Sequence, residues 1–166
     1  MKLYVGTYYK YNCGSIEGKW LDLDDYTDKE EFLTACKEVH KDEQDPEFMF
    51  QDWEGESWEK SLYSECSVPE EYWEIKDGLE KSSIDKDIFG AWLTITNEDA
   101  SVENIEKAEE QYCGKYESGE EYAEMEFEDT YKDSPLLQYV DWERVWRDMS
   151  FNGMEEEDGY IFDKNR

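Results

Sequence analysis

Histidine occurs once in this chain, at His40, and none of the four cysteines (Cys13, Cys36, Cys66 and Cys113) forms a CxxC pair. Zinc centres draw on closely spaced Cys and His, so a zinc site is excluded and the cysteines read as free thiols of a reducing cytoplasm. Proline is scarce, with three, and no Pro/Gly/Ser tract marks a linker. No apolar run approaches the ~20 residues of a membrane span, and MKLYVGTYYKY lacks the apolar stretch of a signal peptide. The expectation is a cytoplasmic protein with no membrane partner. Basic residues are the class most outnumbered: 17 Lys/Arg face 46 Asp/Glu, a net charge of −29. Such a chain repels nucleotides and nucleic acid alike, and it has neither a GxxxxGKS/T nor a GxGxxG phosphate cradle. Direct nucleic-acid binding is therefore excluded, and no cofactor is expected.

What the chain does have is aromatic side chains and acids. Low hydropathy with high net charge is the composition of disorder, but seven Trp, thirteen Tyr and seven Phe oppose that reading. Each buries roughly 150–250 Å², so small cores form from few residues. A folded, very acidic α+β protein follows. Spread over a compact globule of this mass, the net charge amounts to one per roughly 300 Å², against one per roughly 110 Å² for duplex DNA taken as a cylinder. Only an elongated shape, or acids gathered on one face, brings the two densities together.

KLYVGTYYKY alternates like a strand, meets the turn residues Asn12-Cys13-Gly14 and leads to a second strand in SIEGKWLDL. Thr27 with Glu30 forms a capping box for a helix burying Phe32, Leu33, Cys36 and Val39, and EFMFQDWE is a third strand. Residues 1–60 thus form a β-β-α-β domain. The stretch 61–103 reads as a helical middle domain: Ser67 caps VPEEYWEIKDGLE, and Phe89, Trp92, Leu93 and Ile95 of IDKDIFGAWLTIT pack on Tyr72, Trp73 and Leu79. Residues 104–166 read as a C-terminal α+β domain. Its first helix, begun at Ser101, carries the apolar stripe Val102, Ile105, Ala108 and Tyr112 and ends at Gly114. Ser118 with Glu121 caps a second helix that turns Tyr122, Met125 and Phe127 inward. DWERVWRDM is a helix after Asp141, and GYIF a strand after the Asp158-Gly159 turn.

With 46 carboxylates, a pair at any spacing arises by chance, so paired-acid catalysis has no signal. Cys36 and His40 stand at i, i+4, but with no third partner or oxyanion element they read as a buried thiol beside a histidine. DLDDYTDKEEFL from Asp22 places Tyr26, Thr27 and Leu33 where a calcium loop needs a ligand, Gly and Glu, and DKDIFG from Asp85 fails likewise. What remains is the charge itself. Residues 109–129 carry nine Asp/Glu against Lys115 alone; if helical throughout, that is one net charge per roughly 4 Å, close to the ~3.4 Å of a single DNA strand. A solvated acidic helix face is the competing account of this stretch.

LYVGTYYKYNCGSIEGKWLDLDDY, DPEFMFQDWE, AEEQYCGKYESGEEYAEMEF, YVDWERVWRDM and DGYIF together resemble the ArdA-type antirestriction proteins of mobile genetic elements. The resemblance spans close to the whole chain. It implies an elongated, three-domain α+β homodimer that mimics bent B-form DNA, occupies the DNA groove of type I restriction-modification enzymes and catalyses no reaction. Its antirestriction region maps onto Glu109, Glu110, Glu117, Glu120, Glu121, Glu124, Glu126, Glu128 and Asp129, with Glu126 the least secure. Asp22, Asp24, Asp25, Asp52, Glu54, Glu70, Glu71 and Glu74 extend the mimicry, and Tyr112 and Tyr116 are candidate dimer contacts. Two other function classes stand beside it: an acidic adaptor or chaperone for basic DNA-binding proteins that needs charge but not geometry, and a hydrolase hidden among the carboxylates.

Overall fold

The computed structural model describes residues 1–166 except the side chain of Asp129. The protein is α+β, and the chain divides into two compact units, Met1–Lys81 with Asp99–Val102, and Ser82–Glu98 with Glu103–Arg166.

In the first unit, β1 (Lys2–Thr7) lies between β2 (Lys19–Asp22) and β3 (Phe48–Glu54), both antiparallel to it. Leu3 pairs with Leu21 and Trp53, and a bulge between Tyr4 and Val5 sets Val5 opposite Phe50. Leu3, Val5, Leu21 and Phe50 are buried, as alternation requires of a half-covered sheet. The strand expected through Tyr11 stops at Thr7 instead. Thr7 Oγ1 accepts the Lys10 N–H, starting a short helix α1 (Tyr8–Asn12), and the Lys10 ammonium pairs with Asp42 at 3.0 Å.

Helix α2 (Lys29–Val39) buries Phe32 and Cys36, and Phe32 lies against Phe50 with ring centroids 6.3 Å apart. Its cap is Asp28 rather than Thr27, one residue later than the sequence pattern gave. Asp28 accepts the Glu31 N–H, and the Glu31 carboxylate accepts Thr27 N–H. At the other end, His40 is fully buried with Nε2 3.0 Å from the Val5 carbonyl. Cys36 is buried in apolar surroundings that push its thiol up to about 12, so it stays protonated and is no nucleophile. The Cys36–His40 pair is core structure.

Helix α3 (Tyr72–Lys81) begins four residues later than a Ser67 cap places it, and Ser67–Glu71 is not helical. Tyr72 stacks on Trp58, centroids 5.8 Å apart, and meets Trp73 edge-on. Beneath this stack lies a fully buried acid. Glu59 is 3% exposed, yet its carboxylate accepts from the Met1 ammonium at 2.7 Å and from Glu56 N–H at 2.7 Å, and lies 3.1 Å from the Tyr72 hydroxyl. Gly55 is obligatory here, since a Cβ would sit 2.1 Å from Glu59 Oε2.

In the second unit, β6 (Tyr160–Asp163) lies between β4 (Tyr112–Lys115) and β5 (Met154–Glu157), again antiparallel. β5 and β6 join through Asp158 and Gly159, both at positive φ (52° and 81°), the backbone of a tight two-residue hairpin. Helix α4 (Lys86–Thr96) packs on β5 and β6; it is capped by Asp85 and closed by Asn97 in the left-handed region. Phe89 and Trp92 stack on each other, ring centroids 6.5 Å apart. Helix α5 (Val102–Gln111) buries Ile105 and Ala108, while Val102 is 42% exposed. Helices α6 (Gly119–Tyr131) and α7 (Trp142–Phe151) pack together over the core of Tyr122, Met154 and Ile161. The stretch read from sequence as a middle domain contributes α3 to the first unit and α4 to the second.

Glu59 separates acids that build the fold from acids that decorate it. Glu59→Gln leaves a buried ammonium without its nearest counter-charge, Asp22 standing 3.9 Å away, and is expected to lower unfolding free energy by about 3–5 kcal/mol. Urea denaturation checks this, with Glu74→Gln, an exposed control, expected within about 0.5 kcal/mol of the unsubstituted protein.

Candidate acidic interaction surface

Residues 109–129 do not form one helix. α5 ends at Gln111, Tyr112–Lys115 pair with β6, and Gly114 at φ 136° introduces a bulge that a helix could not hold. The even spacing of one charge per 4 Å along a single axis therefore does not exist. Glu109 and Glu110 sit in the last turn of α5, Glu117 precedes α6, and Glu120, Glu121, Glu124, Glu126, Glu128 and Asp129 lie on α6 itself. The Asp129 side chain lies outside the described residues. Six acids on this helix of 13 residues give one per roughly 3 Å of axis, denser than the sequence estimate and over a shorter length.

The N-terminus of α6 is held at several points. Ser118 Oγ accepts Glu121 N–H at 3.3 Å, and the Glu121 carboxylate accepts Glu117 N–H at 2.6 Å. The Asp28–Glu31 arrangement at α2 is the same device, an N-cap acceptor followed three residues on by a Glu that reaches back. Glu156 of β5 takes Gly119 N–H at 2.9 Å. Gly119 lies so close to the Trp146 ring that a Cβ would fall 2.0 Å from it. Behind the first turn, Tyr122 and Ala123 are buried, and the Tyr122 ring meets Tyr116 edge-on at 5.1 Å and Trp146 at 6.3 Å. Burial first, then the Cys113 and Glu126 charges, push the Tyr122 hydroxyl's pKa upward.

At 100° per residue, Glu120, Glu121, Glu124 and Glu128 share one face of α6, while Glu126 lies about 160° round from Glu124. Glu121, Glu124, Glu126 and Glu128 are exposed and Glu120 is half-buried. Among the described residues, no Lys or Arg pairs with any of these five. Lys115, the single cation of the stretch, is held over the Tyr160 ring, 4.3 Å from its centroid and 3.1 Å from its hydroxyl. Met125, expected inward, is 52% exposed, although at i+3 from Tyr122 it lies on the same side of the helix.

The acids of the first unit divide differently. Asp24 pairs with Lys76 at 2.7 Å; burial works against its charge, but Lys76 and the Tyr72 hydroxyl outweigh that and hold its pKa low. Glu70 pairs with Lys29 at 3.0 Å, and Asp22 accepts Asp24 N–H and lies 3.9 Å from the Met1 ammonium. Asp52 accepts the adjacent Trp53 N–H. Asp25, Glu54, Glu71 and Glu74 are exposed and form no ion pair among the described residues. Sequence spacing could not sort these acids, since Lys76 and Lys29 reach them from distant positions.

Tyr112 and Tyr116 are half-buried within their own unit. Tyr112 packs on Phe162 at 5.7 Å, and Tyr116 on Tyr122. The sequence reading missed a row on α7: Arg144, Arg147 and Phe151 share its outward face, Phe151 is 82% exposed, and neither arginine forms an ion pair among the described residues. An i, i+3, i+7 spacing in DWERVWRDMSF was the available signal. Glu156 was missed as well, although the Asp158-Gly159 turn implied a strand before it as well as after.

Among the described residues, no group of three or more His, Cys, Asp or Glu is placed to hold a metal ion, and no helix is long and apolar enough to cross a membrane. The model of a family described as antirestriction protein (ArdA) matches residues 3–162. A search of curated proteins finds no match.

Two carboxylates of this surface are held below the usual glutamate pKa of 4.5: Glu109 by Ser83, which also donates its backbone N–H at 3.0 Å, and Glu120 by the Ser118 hydroxyl. A depressed folded-state pKa gives stability that is present above the unfolded value and lost as pH falls through the folded one. Side-chain carboxyl titration by NMR is expected to place both midpoints below 4.5, and Ser118→Ala to return Glu120 towards it.

Proposed function

The chain belongs to the ArdA family of antirestriction proteins, and from that premise we propose that it acts as a mimic of B-form DNA. It occupies the DNA-binding groove of type I restriction-modification enzymes and blocks restriction, and often modification, by excluding duplex DNA. It acts in the cytoplasm by occupation and catalyses no reaction. The observation that carries this reading is the face of α6: Glu120, Glu121, Glu124 and Glu128 in one row, paired with no cation among the described residues, on a helix whose first turn is clamped by Ser118, Glu156 and Trp146. Charge held in place is what distinguishes a phosphate mimic from a diffuse acidic surface, because a groove built for phosphates rewards position. Glu109, Glu110 and Glu117 adjoin this row in sequence and contribute to it. Of the first-unit acids that the resemblance implicates, Asp25, Asp52, Glu54, Glu71 and Glu74 are exposed and pair with no cation among the described residues; Asp22, Asp24 and Glu70 are already engaged by internal cations.

We assign the homodimer to the second unit. The outward row of Arg144, Arg147 and Phe151 supports this, because unpaired cations beside an exposed ring, on a chain of net charge −29, suit an acidic partner such as a second copy. Tyr112 and Tyr116 offer their exposed edges on the same unit.

Displacement of duplex DNA from a purified type I restriction complex tests the reading. Addition of the protein is expected to release DNA, less effectively as salt rises. Single Glu→Gln changes on α6 are expected to cost under about 1 kcal/mol each. The fourfold change at Glu120, Glu121, Glu124 and Glu128 is expected to weaken displacement about tenfold or more. Displacement that survives when the same four charges are moved to other surface positions would favour an adaptor that reads charge alone. In sedimentation, Arg144→Glu with Arg147→Glu is expected to leave a monomer.

A further inference from the structure

α6 does not end in acids. Phe127 and Tyr131 in its last turns, Leu136 and Val140 in the segment that follows, and Trp142 and Val145 of α7 bound an apolar cleft of about 340 Å³. Phe127 stacks on Tyr131 at 5.9 Å and leans on Trp142 at 6.3 Å, so the floor is built of packed rings. The rim is open, with Leu136 68% and Tyr131 51% exposed. On the helical period, Glu120, Glu124, Phe127 and Tyr131 fall at i, i+4, i+7 and i+11, one continuous stripe. The acid row therefore runs directly into the cleft. A surface that reproduced phosphates alone has no use for an apolar mouth at the end of its charge row.

We propose that this cleft receives an apolar side chain of the bound restriction enzyme, flanked there by Lys or Arg, so that apolar burial anchors a complex otherwise held by charge. The proposal rests on the reading of the acidic face given above. Charge selects the occupant. Residues 124–145 carry seven Asp/Glu against Lys132 and Arg144, so an apolar group set among acids, as on a second copy's α6, is repelled, whereas one set among bases is drawn in. An apolar or aromatic group seated in a concave pocket and ringed by polar contacts is also the arrangement in which interface energy concentrates.

Leu136→Glu separates the two contributions, because it adds negative charge at an exposed position of the cleft. A purely electrostatic contact with a basic groove would bind this variant as tightly or more tightly. With an apolar anchor, duplex displacement from the type I enzyme is expected to weaken about tenfold or more. The unsubstituted protein is expected to keep measurable affinity at high salt that the variant loses, since apolar burial is not screened. Leu136→Ala, with no added charge, is expected to shift affinity in the same direction by less, and far-UV circular dichroism checks that both variants fold. Equal or tighter binding by Leu136→Glu overturns the anchor while the acidic-face reading stands. No displacement by the unsubstituted protein overturns both. Loss of self-association by Leu136→Glu in sedimentation, with displacement unchanged, assigns the cleft to a second copy and overturns the proposal.

Discussion

Packing of Tyr122 against Trp146 and Tyr116 holds α6 in place against the repulsion of its own acids, and the acidic surface depends on that balance. Glu120 with Glu124, Glu124 with Glu128, and Glu121 with Glu124 are like-charge neighbours at i, i+3 or i+4, each unfavourable by about 0.2–0.5 kcal/mol. Burying one large aromatic ring contributes about 4–6 kcal/mol by area, an upper figure. Packing therefore exceeds repulsion, and among the described residues the helix keeps its charges with no cation paired to them. Glu120 and Glu121, in the first turn, also lie at the favourable end of the helix dipole. Were the aromatic cluster weaker, the same acids would tend to unfold the segment that carries them.

The acids of this chain do three different jobs, and composition hides the division. Glu59 is a buried acceptor that ties Met1, Glu56 and Tyr72 together. Glu31, Glu121 and Glu156 reach back to helix N-termini and hold backbone donors. Asp24, Glu70, Asp42 and Glu155 are neutralised by Lys76, Lys29, Lys10 and Lys164. Other acids, among them the α6 row and Asp25, Glu54, Glu71 and Glu74, present charge that no cation neutralises among the described residues. Glu121 belongs to two groups: one carboxylate oxygen takes the Glu117 N–H, and the group still faces solvent on the acid row.

Much of the architecture was legible because local chemistry and tertiary structure agree. EFMFQDWE became a strand, Asp141 and Ser118 became helix caps, and Asp158-Gly159 became a hairpin turn, each for the reason its residues suggested. Errors arose where a distant partner decides. The strand expected through Tyr11 ends at Thr7 because Thr7 caps a helical turn and Asp42 takes Lys10. The helix expected to carry Tyr112 and end at Gly114 stops at Gln111 because β6 supplies a partner for Tyr112–Lys115. Met125 and Phe127 alternated with glutamates in a strand-like way, yet the helix persists and turns Met125 outward. For the candidate site, the sequence showed where the acids cluster along the chain, but not which of them cations from elsewhere would neutralise. The apolar cleft, assembled from α6, α7 and the segment between them, has no signature in any single stretch.

The most direct measurement of the central claim is a structure of this protein bound to a type I restriction enzyme, compared with the same enzyme bound to duplex DNA. Expected is a row of α6 carboxylates from Glu120, Glu121, Glu124 and Glu128 taking the positions of DNA phosphates and meeting the same lysines and arginines of the groove. A complex in which α6 faces solvent, or in which the protein sits outside the DNA groove, would contradict it.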